Sequence, residues 1–375
     1  MNGHHEDTHL LRYVLNKKEL TELYVSAVLR VLAFSMIGIF VPLFLFKELG
    51  YSLNFVIYYY LIYSFAFLIF TPIGAKLTNK IGVKHVMLAG MPLYVVYFIL
   101  LYLLRFNPSL FILVPLIYGA AEGIFWIAFH IDFSLFSEKK KRGKQLGRFY
   151  SFALLAGLVG PMIGGVLLTF SGFTVLFIIV SLLILSSAVP LLFTKDIKRN
   201  YKISWNFLTA GSFKDLVSYA SLGAKIMVSI VFWPIFIFAI LQLYVAMGSL
   251  FTFLGVIGLI VVNVTGRLSD VFDKRQLIRW FAWPNAFLWI LFIFVRTKLE
   301  LIIVSVFSSI SGTGMSVPFN ALAYNKSKGK VEYFVFREFG ISIGRIIVLL
   351  FVLWTGNLAS SFLVAALASL GYMLL

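Results

Sequence analysis

Four charged residues stand inside long apolar stretches of this chain, and they are the side chains best placed to do chemistry. An ionisable group in hydrocarbon costs at least ~2.5–3.5 kcal/mol, so each needs a partner or a function. At 1.5 Å per helical residue, Glu122 lies about 24 Å from Glu138 and Arg345 about 20 Å from Glu332. Arg30 is about 12 Å past Glu22, and Asp132 is shallower still. For Glu122 two roles stay open: a carboxyl paired permanently with a structural arginine, or a proton carrier and counter-charge for a bound solute. At ~100° per residue, Glu122, Trp126 and His130 form one stripe expected to face a polar cavity, while Asp132 sits about 80° away. Asn320 and Tyr324 are further candidates for cavity lining, although helix packing accounts for them equally well. No catalytic residue and no cofactor is expected. His4, His5 and His9 read as a solvated tail rather than a metal site, and the absence of Cys excludes thiolate ligands and nucleophiles.

Positioning charges this deep requires membrane-spanning elements. Of 375 residues 61% are hydrophobic and only 13% charged, about half the charge a soluble domain carries, which excludes a soluble enzyme. Apolar runs of about 20 residues, enough to cross a bilayer core, recur at Leu23–Phe46, Asn54–Leu77, His85–Leu104, Leu110–Phe133, Leu146–Phe170 and Phe173–Phe193. They resume at Leu222–Leu241, Val245–Gly266, Leu277–Val295, Leu301–Ala323, Phe334–Thr355 and Leu358–Leu375. The runs are continuous rather than alternating, which disfavours a barrel. The expected fold is all-α, with about twelve spans in two six-helix bundles at 23–194 and 218–375. A polar tail (1–22) precedes them and a basic linker (195–217), part of it amphipathic, joins them. Met1 to Glu22 is polar and unlike a cleaved signal peptide.

The net charge of +17 is distributed unevenly. Twenty-six of the 32 Lys and Arg residues, from Arg12 to Arg337 and including Lys225, fall in loops on the N-terminal side. Lys47, Arg105, Arg296 and Lys298 lie opposite. The positive-inside rule then puts both termini in the cytoplasm of a multi-pass inner-membrane protein, and argues against nucleic acid as the partner.

Two loops repeat one pattern, 191 residues apart: Ala75, Leu77, Thr78, Asn79, Lys80, Gly82, Lys84 and Gly266, Leu268, Ser269, Asp270, Lys274, Arg275. An internal repeat at matching places in two halves suits a transporter built from two bundles. Over essentially its whole length the sequence resembles the major facilitator superfamily of secondary transporters, whose loop signature is Gly-x-Leu-Ala-Asp-Arg-x-Gly-Arg-Lys. Asp273 stands where the family has its second Gly, and Asn79 replaces an acid that the family uses to latch the cytoplasmic gate. The resemblance implies a gate formed by Asn79, Lys80, Gly82, Lys84, Gly266, Asp270 and Arg275, with Asp132 pairing to Lys80 or Lys84. Gly147, Ala156, Gly160, Pro161, Gly164 and Gly165 resemble a fifth-helix signature associated with antiporters and exporters; tight helix packing is the alternative. Gly119, Ala120, Ala121, Glu122 and Gly123 align with the family's Arg-x-x-Gln-Gly, its Arg missing and its Gln acidic.

The expectation is therefore a secondary transporter of a small solute, working by alternating access, proton-coupled, with export slightly favoured over uptake, and monomeric in the lipid bilayer. Glu122, Arg345 and Arg30 would carry the coupling. In the family the fourth and eleventh helices both border the central cavity, so Glu122 and Arg345 are expected to meet in at least one state; the alternative is that Arg30 neutralises Glu122 within the first bundle. A membrane-embedded enzyme such as a lipid-modifying transferase, and a non-transporting receptor with this fold, are the rivals.

Overall fold

The computed structural model describes residues 21–136, 142–193, 207–327 and 330–375, with the backbone alone over 133–136, 142–154 and at 270. Among them all regular structure is helical. In chain order the helices are α1 (Thr21–Glu48), α2 (Leu53–Ile81), α3 (Val83–Leu103), α4 (Leu113–Phe136), α5 (142–171) and α6 (173–188). They continue as α7 (Phe213–Leu241), α8 (Tyr244–Val271), α9 (Lys274–Leu291), α10 (Lys298–Ser327), α11 (Val331–Thr355) and α12 (Ser360–Gly371). Among the described residues, eight helical stretches are long and apolar enough to cross a membrane, α5 and α6 counting as one.

Local chemistry sets the corners. Gly172 at φ 72° breaks the run between α5 and α6, a conformation that costs a residue with a Cβ about 1 kcal/mol or more. The two repeated motifs occupy matching places at the ends of α2 and α8. Gly82, at φ 96°, turns the chain into α3. In the second half Asp273 takes over as an N-cap, its carboxylate accepting from the Gln276 amide at 3.3 Å. One corner needs glycine and the other a capping acid. That explains why the motif diverges there.

Within the first half α4 packs on α2 and α3; within the second, α7 packs on α11 and α12, and α9 on α10 and α12. Across the halves α2 meets α11 and α5 meets α8, as two-fold pseudo-symmetry requires. Glycines carry the closest approaches. A Cβ at Gly160 would fall on Ser35, and one at Gly164 on the Met36 carbonyl of α1. On the equivalent face of α11, a Cβ at Gly344 would fall on the Ala220 carbonyl of α7. Gly165 and Gly248 play the same part between the halves, against Tyr244 and Pro161. Large apolar side chains such as Ile69, Ile260 and Phe287 stay exposed, a surface that hydrocarbon solvates and water would not.

These contacts make a clear expectation. Gly344→Val should destabilise the protein by about 3 kcal/mol, the upper end for overpacking, because backbone rather than a movable side chain blocks the methyls. Gly266→Ala should cost nothing and gain up to about 1 kcal/mol of helix stability, since nothing lies within 4 Å of its Cβ position. Thermal unfolding in detergent reads both. Equal loss in the two variants would contradict the packing argument.

Candidate functional site

The turn of α4 that bears Glu122 is flanked by Gly119 and Gly123, both pressed against the α2 backbone. A Cβ at Gly123 would come within 2.9 Å of the Phe67 carbonyl. With one face of α4 flush on α2, Glu122 reaches the other way, towards α1 and α3. There it forms a buried ion pair with Arg30. Tyr94 of α3 donates to the same carboxylate oxygen at 2.7 Å, and Trp126 donates to the other at 2.9 Å. The guanidinium carbon of Arg30 lies 4.0 Å from the ring centre of Phe125, 4.5 Å from Phe34 and 4.9 Å from both Tyr94 and Trp126. Ring quadrupoles and one carboxylate together replace the water this cation has lost.

In this conformation Glu122 is therefore paired with Arg30 and not with Arg345. Helical rise alone sets Arg30 and Glu122 about 12 Å apart in depth, so depth counted along each helix separately misjudges a pair that the packed helices bring together. Arg345 lies instead across the interface of the halves, against α2. Its guanidinium is 3.5 Å from the Tyr63 hydroxyl and 4.5 Å from the Phe67 ring centre.

Along α4, Glu122, Trp126 and His130 touch in sequence on one face. Trp126 stacks on His130 at 5.9 Å, and His130 then crosses to the second half. Its Nδ1 is 3.1 Å from the Tyr324 hydroxyl of α10, and its Nε2 is 3.3 Å from Arg337 and 3.7 Å from Glu338 of α11. Arg337 donates to Glu338 at 2.6 Å. Asn320 lies one turn before Tyr324, half-buried. Sequence reading missed Glu338 and counted Arg337 as a loop residue. The signal that could have found them is a charge pair set in the apolar flanks Phe334–Phe336 and Phe339.

Of the expected gate residues, Lys84 is buried and pairs with Glu22 of α1 at 3.2 Å, a partner the sequence did not suggest. Asp132 is buried near the same end, Asn79 is half-buried, and Lys80 and Arg275 are exposed. Gly266 lies in α8 beside Asp270, whose side chain is outside the described residues, as are Gly147's surroundings in α5 and all of His4, His5 and His9. Among the described residues no cluster of His, Asp and Glu could hold a metal.

Lys225 also corrects the sequence reading. A capping box of Ser212 and Asp215 starts α7 at Phe213, inside the segment read as linker, which carries Lys225 into the protein interior. It donates to Asn285 of α9, which also accepts from Ser369 at 2.8 Å and donates to Ser311 at 2.9 Å. At the start of α7, Asp215 pairs with Lys326 of α10.

Two helical halves that meet along α2–α11 and α5–α8, with ionisable groups held between helices, define the class: a polytopic membrane transporter fold. The sequence profile of the Major Facilitator Superfamily matches residues 23–324, and the chain belongs to that superfamily. It is similar to the crystal structure of a variant of the Escherichia coli fucose:proton symporter FucP, with a TM-score of 0.65 and 15% identity, covering 94% of this chain and 96% of that one. A structure of the superfamily transporter FucP in the outward conformation gives 0.66 and 15%, with 96% and 98% covered. At that identity the likeness is one of fold. No curated protein matches the sequence. The chain is thus a secondary transporter by family and fold, and both are those of carriers rather than enzymes.

Proposed function

We propose that the protein moves a small solute across the cytoplasmic membrane by alternating access, as a monomer, and that proton binding at Glu122 drives the cycle. The observation that carries this reading is the Arg30–Glu122 pair with its Tyr94 and Trp126 donors. A proton arriving at Glu122 cancels the charge that holds Arg30, and the cost of an unpaired buried cation then favours rearrangement. The fucose carrier of similar fold is a proton symporter, which supports proton coupling in this architecture. Export remains the direction favoured by the α5 glycine pattern, although those glycines also serve packing against α1 and α8. Asp270 and Asp132 are proposed as gate residues of the two halves, and 23–194 and 218–375 as the moving bundles.

The test is flux in proteoliposomes with an imposed pH gradient of either sign, reading internal pH against a panel of solutes. Solute-dependent proton movement is expected; solute flux without proton movement would refute the coupling. Orientation is tested separately, and cleanly, because the chain has no cysteine of its own. Engineered cysteines near Lys141 and Lys328 should label from the cytoplasm, and those near Phe106 and Gly356 from outside. Labelling at Lys141 and Gly356 from one side would overturn the twelve-span topology.

A further inference from the structure

Among the described residues, most buried or half-buried cations of this protein meet a carboxylate. Arg30 has Glu122, Lys84 has Glu22, Arg337 has Glu338 and Lys326 has Asp215. Lys225 is answered by neutral groups, the Asn285 amide oxygen and the Tyr372 ring centred 5.1 Å away. Arg345 is only 7% exposed, and among the described residues no carboxylate lies within ion-pair distance of it. Its Nε is buried without a partner, and its polar contact is the long 3.5 Å approach to the Tyr63 hydroxyl. The Nε of Arg30 is also unpartnered, but there the charge is answered by Glu122. A guanidinium stays charged at any physiological pH, and an uncompensated buried charge is costly.

Its position shows what could compensate it. Arg345 belongs to α11 and faces Tyr63 and Phe67 of α2, so it lies on the seam between the two halves. Tyr63 stacks on Tyr118 at 4.7 Å, and Tyr118 contacts the ring of Tyr94, which holds Glu122. A ligand at Arg345 would therefore sit a short ring stack away from the proposed proton site. The guanidinium is about 20 Å along α11 from Glu332. A lipid headgroup does not reach that depth, but a solute entering between the halves does.

We propose that Arg345 is the receptor for an anionic group of the transported solute, a carboxylate or a phosphate, with the rings of Tyr63 and Phe67 lining the rest of the contact. The substrate class is then organic anions. The counter-charge that Arg345 lacks among the described residues arrives with the substrate, while Glu122 stays engaged by Arg30. The inference rests on the transporter reading above but is tested by binding, so the two fail separately.

The experiment is thermal unfolding of the purified full chain in detergent with sodium benzoate, phenyl phosphate and inorganic phosphate. Benzamide and sodium chloride at matched ionic strength are the controls. Benzoate or phenyl phosphate should raise the midpoint and benzamide should not; a response to inorganic phosphate as well would assign the phosphoryl group as sufficient. Arg345→Gln should weaken the anion response by about tenfold or more, the worth of a charge-assisted contact. Phe67→Glu, which sets a carboxylate beside the guanidinium, should raise the midpoint without ligand and remove the response to anions. This second variant answers the question even if Arg345→Gln fails to fold. No anion-specific rise in the wild type, or a rise that persists in Phe67→Glu, would overturn the site. Coupled flux of a neutral solute without any anion response would sink this inference alone and leave the transporter reading standing.

Discussion

Replacing Glu122 with glutamine should abolish proton-driven flux while leaving solute exchange measurable. The change is nearly isosteric, and the amide oxygen can still accept from Trp126 or Tyr94, so the local shape of α4 is kept. What disappears is the charge opposing Arg30 and the only group of the pair that can take up a proton reversibly. Removing one member of a buried ion pair costs about 3–5 kcal/mol, so the variant should also unfold at a lower temperature. Four surrounding rings will offset part of that cost. Full proton coupling in the variant, measured as internal pH in proteoliposomes, would eliminate Glu122 as the carrier.

Glu338→Gln should release the end of the molecule at which α4, α10 and α11 meet. Glu338 is buried and receives Arg337 at 2.6 Å, with His130 of the opposite half at 3.7 Å. Without the carboxylate, Arg337 and His130 still face each other at 3.3 Å but lose the anion they share. Arg337 and Glu338 are neighbours on α11, so what crosses the seam is the contact of this pair with the His130 ring, and removing the carboxylate costs about 1–3 kcal/mol. At 1.4 kcal/mol per tenfold, that lowers the closed-to-open ratio by about 5- to 100-fold. Spin labels on cysteines introduced into α4 and α11 should show a longer, broader distance at that end, with the opposite end, where Tyr244 donates to Glu48 at 2.8 Å, opening less often. Unchanged distances in a folded variant would mean that the cluster only decorates the interface.

The amino-acid sequence by itself determined the membrane setting, the helical class, the two-fold repeat and the superfamily, because each follows from local composition and short-range pattern. A 20-residue apolar run must be a helix in hydrocarbon, since no other local structure satisfies its own backbone. Gly172, Gly82 and Asp273 turn corners through properties of one or two residues. Periodicity along α4 also placed Glu122, Trp126 and His130 on one face. The tertiary structure alone decided which charges meet. Arg30 rather than Arg345 answers Glu122, Glu22 answers Lys84, and Glu338 reaches His130. Each of these pairs joins residues from different helices, and its identity depends on helix rotation and separation. Those are set by glycine contacts such as Gly123 on Phe67 and Gly344 on Ala220. Helical rise measures depth along one axis and says nothing about the angle at which a neighbour stands. Lys225 shows the same limit from the other side: about two and a half extra turns of α7, started by a capping box, turn a loop charge into a buried one.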